Sequence, residues 1–170
     1  MSLNNIQLPG FVYASLFKDL LVDLQETNDV KKEDMQTKIE FLGANGKHII
    51  FVASDKEHKF LADEEMNFLN DLLKACHLTM ADIAFINLSH HNGITYQRLI
   101  EELNASKILL FGITTQQLDL PFQIPFFQVQ SYDEQAFMVA PALSEIQQNQ
   151  QLKKQLWNSL QKIFNIQKQK

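Results

Sequence analysis

Three short, almost wholly apolar runs recur along the chain: Ile49-Ile50-Phe51-Val52-Ala53, Ala84-Phe85-Ile86-Asn87-Leu88 and Ile108-Leu109-Leu110-Phe111-Gly112. A strand with water on one side alternates apolar and polar residues. A short apolar run without alternation fits a strand covered on both faces, as in a parallel sheet. The segments between the runs have helical spacing. Asp63-Glu64-Glu65 suits the positive end of a helix dipole, and Met66, Leu69, Leu72, Leu73 and Cys76 then follow on one face. Tyr96, Leu99, Ile100 and Leu103 mark a second helix. Strands alternating with helices predict an α/β fold of three layers, a mainly parallel central sheet with helices on both faces.

The flanks extend this core. After Pro9-Gly10, the residues Val12, Leu16, Phe17, Leu20, Leu21 and Leu24 form one helical face. A polar connection runs from Val30 to Lys38, and Lys38–Leu42 is a short strand candidate. Asn45-Gly46 is a turn signal. Thr79, with Asp82 three residues on, can cap a short turn. Phe126–Val129, approached through Pro121 and Pro125, suits an exposed or edge strand. Ala136–Ala140 is a further strand, ending at Pro141. One long amphipathic helix is expected over 144–170, with Leu152, Leu156, Leu160, Ile163 and Phe164 beside Trp157. The economical division is one domain over 1–170: an N-terminal helix and connection (1–47), an α/β core (48–143) and the C-terminal helix (144–170).

Composition narrows the function classes. A chain of 170 residues needs no covalent staples. Its single cysteine, Cys76, excludes an internal disulfide and a cysteine-rich zinc site. Met1–Asn5 lacks the basic-then-apolar pattern of a secretory leader, and no apolar run reaches membrane-span length, so a soluble cytoplasmic protein is expected. Net charge is -5, which disfavours general nucleic-acid binding and leaves direct DNA contact weak or absent. All 20 acidic residues precede Gln147, while the last 24 residues carry five lysines, including Lys153 and Lys154. That basic segment is either a solvated helix face or a handle for an acidic partner.

Chemistry-bearing motifs are scarce. No glycine-rich phosphate loop, nucleophile elbow or paired-histidine metal motif is present, so neither cofactor nor metal is expected. In an open parallel sheet a site forms outside the carboxyl ends of the strands. Those ends are Ser54-Asp55, Ser89-His90-His91, Gly112-Ile113-Thr114 and Pro141-Ala142. Asp55 serves there either as a general base or as a capping aspartate. His90 and His91, adjacent in sequence, would face opposite ways on a strand and share a metal only in a loop. His48 and His58 have no partner visible in the sequence. Cys76 on an apolar helix face reads as a buried, inert thiol. Trp157 is a core anchor or a partner-facing anchor.

The order of these pieces resembles the uracil-DNA glycosylase-like superfamily. Phe85-Ile86-Asn87-Leu88 resembles the Asn-bearing strand, and Ile108–Gly112 with Thr114-Thr115-Gln116-Gln117-Leu118 the next strand and helix start. Phe137-Met138-Val139-Ala140-Pro141-Ala142-Leu143 stands where the superfamily has its His-Pro-Ser-Pro motif. The catalytic histidine of that motif is Ala140 here. The Gly and Pro around the first acid are absent from Ala53-Ser54-Asp55-Lys56. The resemblance therefore implies a vestigial pocket of Ser54, Asp55, Asn87, His90, His91, Ala140 and Pro141.

Within the superfamily the chain is most similar to the psi-subunit family of bacterial DNA polymerase III. The similarity is carried by Ile49–Asp55, by Leu72–Thr79 leading to Asp82, and above all by Ala140-Pro141-Ala142-Leu143-Ser144-Glu145-Ile146 followed by Leu156-Trp157 and Phe164. It implies a non-catalytic replication adaptor that binds the clamp loader or single-strand-binding assemblies. Leu16, Phe17, Leu20, Trp157, Lys153 and Lys154 are then the partner-binding candidates. The alternatives are a divergent nucleobase glycosylase, which would need Asp55, Asn87 and a histidine to converge, and a nucleotide-binding domain.

Overall fold

The computed structural model describes residues 38–166. The expected N-terminal helix, with Leu16, Phe17 and Leu20, lies outside the described residues. Six strands form one mixed, mostly parallel sheet: β1 (Leu42–Gly43), β2 (Ile49–Ala53), β3 (Ile83–Asn87), β4 (Lys107–Phe111), β5 (Val129–Tyr132) and β6 (Gln135–Ala140). The spatial order is β1-β3-β2-β4-β6-β5. The four inner strands are parallel, whereas β1 and β5 run antiparallel at the two edges. Four helices follow among the described residues: α1 (Asp63–Ala75), α2 (Tyr96–Leu103), α3 (Leu143–Gln148) and α4 (Gln150–Ile163).

The apolar runs occupy the inner strands because both sheet faces are covered. Along β2, Ile49, Phe51 and Ala53 face one core and Ile50 and Val52 the other, the period-two alternation of a pleated strand. The first core takes Leu69 and Leu73 from α1, Leu143 and Ile146 from α3, and Leu156, Leu160 and Ile163 from α4. Phe51 and Phe111 stack within it, ring centroids 5.5 Å apart. The second core takes Leu99 and Leu103 from α2 and Leu118, Leu120 and Ile124 from the connection after β4.

Local chemistry fixes the ends of these elements. The acidic residues Asp63, Glu64 and Glu65 stand in the first turn of α1, favoured by the helix dipole. Thr95 caps α2 by accepting from the N–H of Arg98. At β1, Gly43 has φ +111°, and a Cβ there would lie 2.3 Å from the Ile83 carbonyl oxygen. Only glycine lets this edge strand lie so close to β3.

Several expectations are corrected. The short strand expected over Lys38–Leu42 is only Leu42–Gly43. The edge strand expected at Phe126–Val129 begins at Val129, because the chain first turns: Gln128 N–H donates to the Pro125 carbonyl and Phe127 has φ +63°. The single long C-terminal helix is two helices broken at Asn149. Asn149 adopts an extended conformation, and its side-chain oxygen accepts from the N–H groups of Gln151 and Leu152. It is the N-cap of α4, and an N-cap cannot sit inside a continuous helix. At Thr79 the capping roles are reversed: the Asp82 carboxylate accepts from the Thr79 N–H and hydroxyl. No helix among the described residues is long and apolar enough to cross a membrane.

Candidate functional site

The chain moves from β2 outward to β3, then returns past β2 to β4. The carboxyl ends of β2 and β4 therefore flank the point where the winding reverses, the usual place for a site in an open α/β sheet. A cleft of about 430 Å³ opens there, lined by Ser54, Asp55, His58, Glu65, Gly112 and Ser144 among others. A second of about 450 Å³ lies beyond Gly112, lined by residues including Thr114, Gln123, Phe126, Pro141 and Glu145. Gly112, with φ +65°, stands between them. Its N–H donates to the Ala140 carbonyl, and a Cβ on it would meet the Ala142 Cβ at 3.1 Å.

Asn87, at the end of β3, is 1% exposed. Its amide nitrogen donates to the carbonyls of Asp55 (2.7 Å), His58 (2.9 Å) and Lys59 (3.2 Å). Its oxygen accepts from the N–H groups of Asp55 (2.9 Å) and Ser89 (3.1 Å). The side chain thus pins the loop after β2 to the end of β3. All its hydrogen-bonding capacity is directed at backbone, none into the cleft.

Asp55 belongs to the same loop. One carboxylate oxygen accepts from the N–H groups of Glu57 and His58, and the other meets His58 Nδ1 at 2.9 Å. Burial opposes ionisation of Asp55. The Glu57 and His58 N–H groups and the His58 imidazole outweigh it and hold the carboxyl below its ordinary range. His58 is the partner that the sequence did not reveal, because its link to Asp55 depends on the tight turn between them. An aspartate on Nδ1 orients an imidazole as general-base sites do, yet this carboxylate is also a loop cap. The neighbouring hydroxyl, Ser54 Oγ, pairs with Ser89 Oγ at 2.7 Å.

The two adjacent histidines do not converge. His90 Nε2 lies 2.9 Å from the His58 carbonyl, while His91 Nε2 lies 3.1 Å from the Glu40 carbonyl. Each braces a different loop. Lys59 and Glu40 form an ion pair at 3.0 Å across the same region. No three His, Cys, Asp or Glu side chains among the described residues gather as a metal site. Ala140 and Pro141, both buried at the end of β6, supply no titratable atom to either cleft.

The partner candidates on α4 lie elsewhere. Trp157 is half-buried and Lys154 exposed, and both line a groove of about 870 Å³ with Cys76, His77, Phe164 and Ile166. Lys153 lies over the Phe68 ring of α1, 5.6 Å from its centroid. Cys76 is 6% exposed, and burial pushes its thiol up to about 11.

No protein-family model and no curated protein matches the chain.

Proposed function

We propose that the chain is a non-catalytic adaptor of the psi type, a glycosylase-like body that binds replication proteins. The observation that carries this reading is the commitment of the polar groups at the switch point to main-chain support. Asn87 holds the loop after β2, Asp55 caps that loop, and His90 and His91 brace carbonyls. Ala140, where a glycosylase would need its histidine, contributes its carbonyl to Gly112 instead. A glycosylase stabilises the departing base with positioned polar groups, a contribution worth about 3–4 kcal/mol for a single donor. Here Asn87 is spent wholly on backbone groups, and Asp55 on the Glu57 and His58 N–H groups and the His58 imidazole.

Two further features support the glycosylase-like body and the psi relationship. β2, β3, β4 and β6, the strands that carry the sequence resemblance, are the four parallel strands, with their carboxyl ends at one edge. The psi-like segment Ala140–Ile146 leads from β6 into α3, and Leu143, Ile146 and Leu156 close one core. The signature residues are then structural, with Trp157, Lys153 and Lys154 beside them on α4 as candidate contacts.

The test is binding of the purified full chain to reconstituted clamp-loader and single-strand-binding proteins from its own source, with base release measured in parallel. Saturable binding to either assembly, with no base released from uracil- or hypoxanthine-containing oligonucleotides, is expected. Base release that Asp55→Asn abolishes would replace the adaptor with an enzyme. Failure to bind either assembly would remove the replication role.

A further inference from the structure

The edge of the sheet at β5, a strand of four residues, carries no charged guard. β6 occupies one side of β5, and no described segment pairs with the other. Exposed edges are commonly blunted by lysines or inward-pointing charges, yet Pro121 to Tyr132 contains no charged residue. The two exposed large hydrophobics among the described residues are Phe126 (59%), three residues before this strand, and Tyr132 (39%), its last residue.

The hairpin determines which backbone groups are free. Asp133 and Glu134 have φ 51° and 66°, the signature of a two-residue turn of the mirror-image type. Tyr132 and Gln135, which the turn joins, therefore exchange both their bonds. The antiparallel alternation gives Gln130 the same relation to Phe137. Val129 and Ser131 fall between, so their N–H and C=O groups point outward.

We propose that two copies of the chain associate through this edge, antiparallel and two-fold symmetric, extending the sheet across both. With Gln130 on the axis, Val129 of one copy faces Ser131 of the other, and each such pair exchanges both main-chain bonds. Like charges are not opposed along the uncharged strand. The same register sets the Asp133-Glu134 turn of one copy against Phe127 and Phe126 of the other. The Phe127 carbonyl accepts from Ser159 of α4, and the exposed Lys162 follows one helical turn later. Each acidic turn thus meets the basic end of the partner helix. This charge match singles out a second copy, rather than an unrelated strand, as the occupant.

Sedimentation velocity on the full chain, from micromolar to sub-millimolar concentration, is the test, combined with hydrogen–deuterium exchange. A dimer that grows with concentration is expected, with exchange slowing over 128–132 as it forms. Ser131→Pro removes an outward N–H that the folded monomer does not use, so dimer should be lost while the thermal melt is kept. If that variant misfolds, the exchange on the unsubstituted chain still decides. A monomer at every concentration overturns the proposal. So does a dimer that leaves exchange over 128–132 unchanged, or an edge already protected at the highest dilution by another segment of the chain.

Discussion

The Asn87 side chain bonds both polar groups of the Asp55 backbone, donating to its carbonyl at 2.7 Å and accepting from its N–H at 2.9 Å. The two residues stand at the carboxyl ends of adjacent parallel strands, so this clamp ties the β2 loop to β3 as a strand pair would. Asn87→Ala removes the clamp and leaves buried N–H and carbonyl groups without partners. A loss of about 3 kcal/mol in unfolding free energy is expected, read from urea denaturation. Asn87→Asp should be at least as damaging, because an ionised carboxylate cannot donate to the three carbonyls. Stability within about 0.5 kcal/mol of the parent would show that the loop is held by something else.

Asp55 gives the pH dependence a definite sign. Its carboxyl titrates below its ordinary value in the folded chain. It therefore contributes stability that is present above the unfolded value and lost as pH falls through the folded one. That window lies on the acid side, below about pH 4. Asp82, held low by the Thr79 N–H and hydroxyl and by Lys47, acts in the same window. Asp55→Asn should make the fall of melting temperature with acid shallower without removing it. A variant whose acid limb overlays that of the parent would show that Asp55 does not titrate with folding.

Gly112 is where the two clefts are divided, and its left-handed backbone is disfavoured for any residue with a Cβ. Gly112→Ala should cost about 1–2 kcal/mol from conformation. The new methyl would also press on Ala142 at 3.1 Å. Denaturant titration checks the loss, and an unchanged midpoint would show that the β4–β6 end relaxes freely.

The sequence disclosed the inner sheet because burial on both faces leaves an unmistakable run of apolar residues, as at Ile49–Ala53 and Ile108–Phe111. It disclosed the edges less well. At Phe126–Phe127 two aromatic residues suggested a strand, but Phe127 turns through a positive φ and pairing starts later. At Asn149 the N-cap signal was present but submerged among glutamines that suit a helix interior. Asp55 and Asn87 stand at the carboxyl ends of β2 and β3, where the strand pattern put them; the capping role of Asp55 was among the readings its position allowed, whereas the role of Asn87 was not legible. The partners of Asn87 are backbone atoms of residues 55, 58 and 59, far away in sequence. Backbone groups carry no residue identity, so no spacing rule reveals such a clamp.

Trp157 lies at the boundary between core and groove, so its substitution separates stability from binding. A fully buried tryptophan truncated to alanine costs about 3–5 kcal/mol. The half-buried Trp157 packs against the core on one side and opens to the groove beside Cys76 and Phe164 on the other. Trp157→Ala is expected to lose roughly half that amount, about 2 kcal/mol, by denaturant titration. If the groove receives a replication partner, affinity should also fall well below the parent under conditions where the variant stays folded. The unrelated core truncation Leu160→Ala serves as the control. It removes a side chain with 0% exposure, should destabilise by a comparable or larger amount, and should leave affinity intact in whatever fraction remains folded. Equal loss of affinity in both variants would assign Trp157 to the core alone and move the partner surface away from α4.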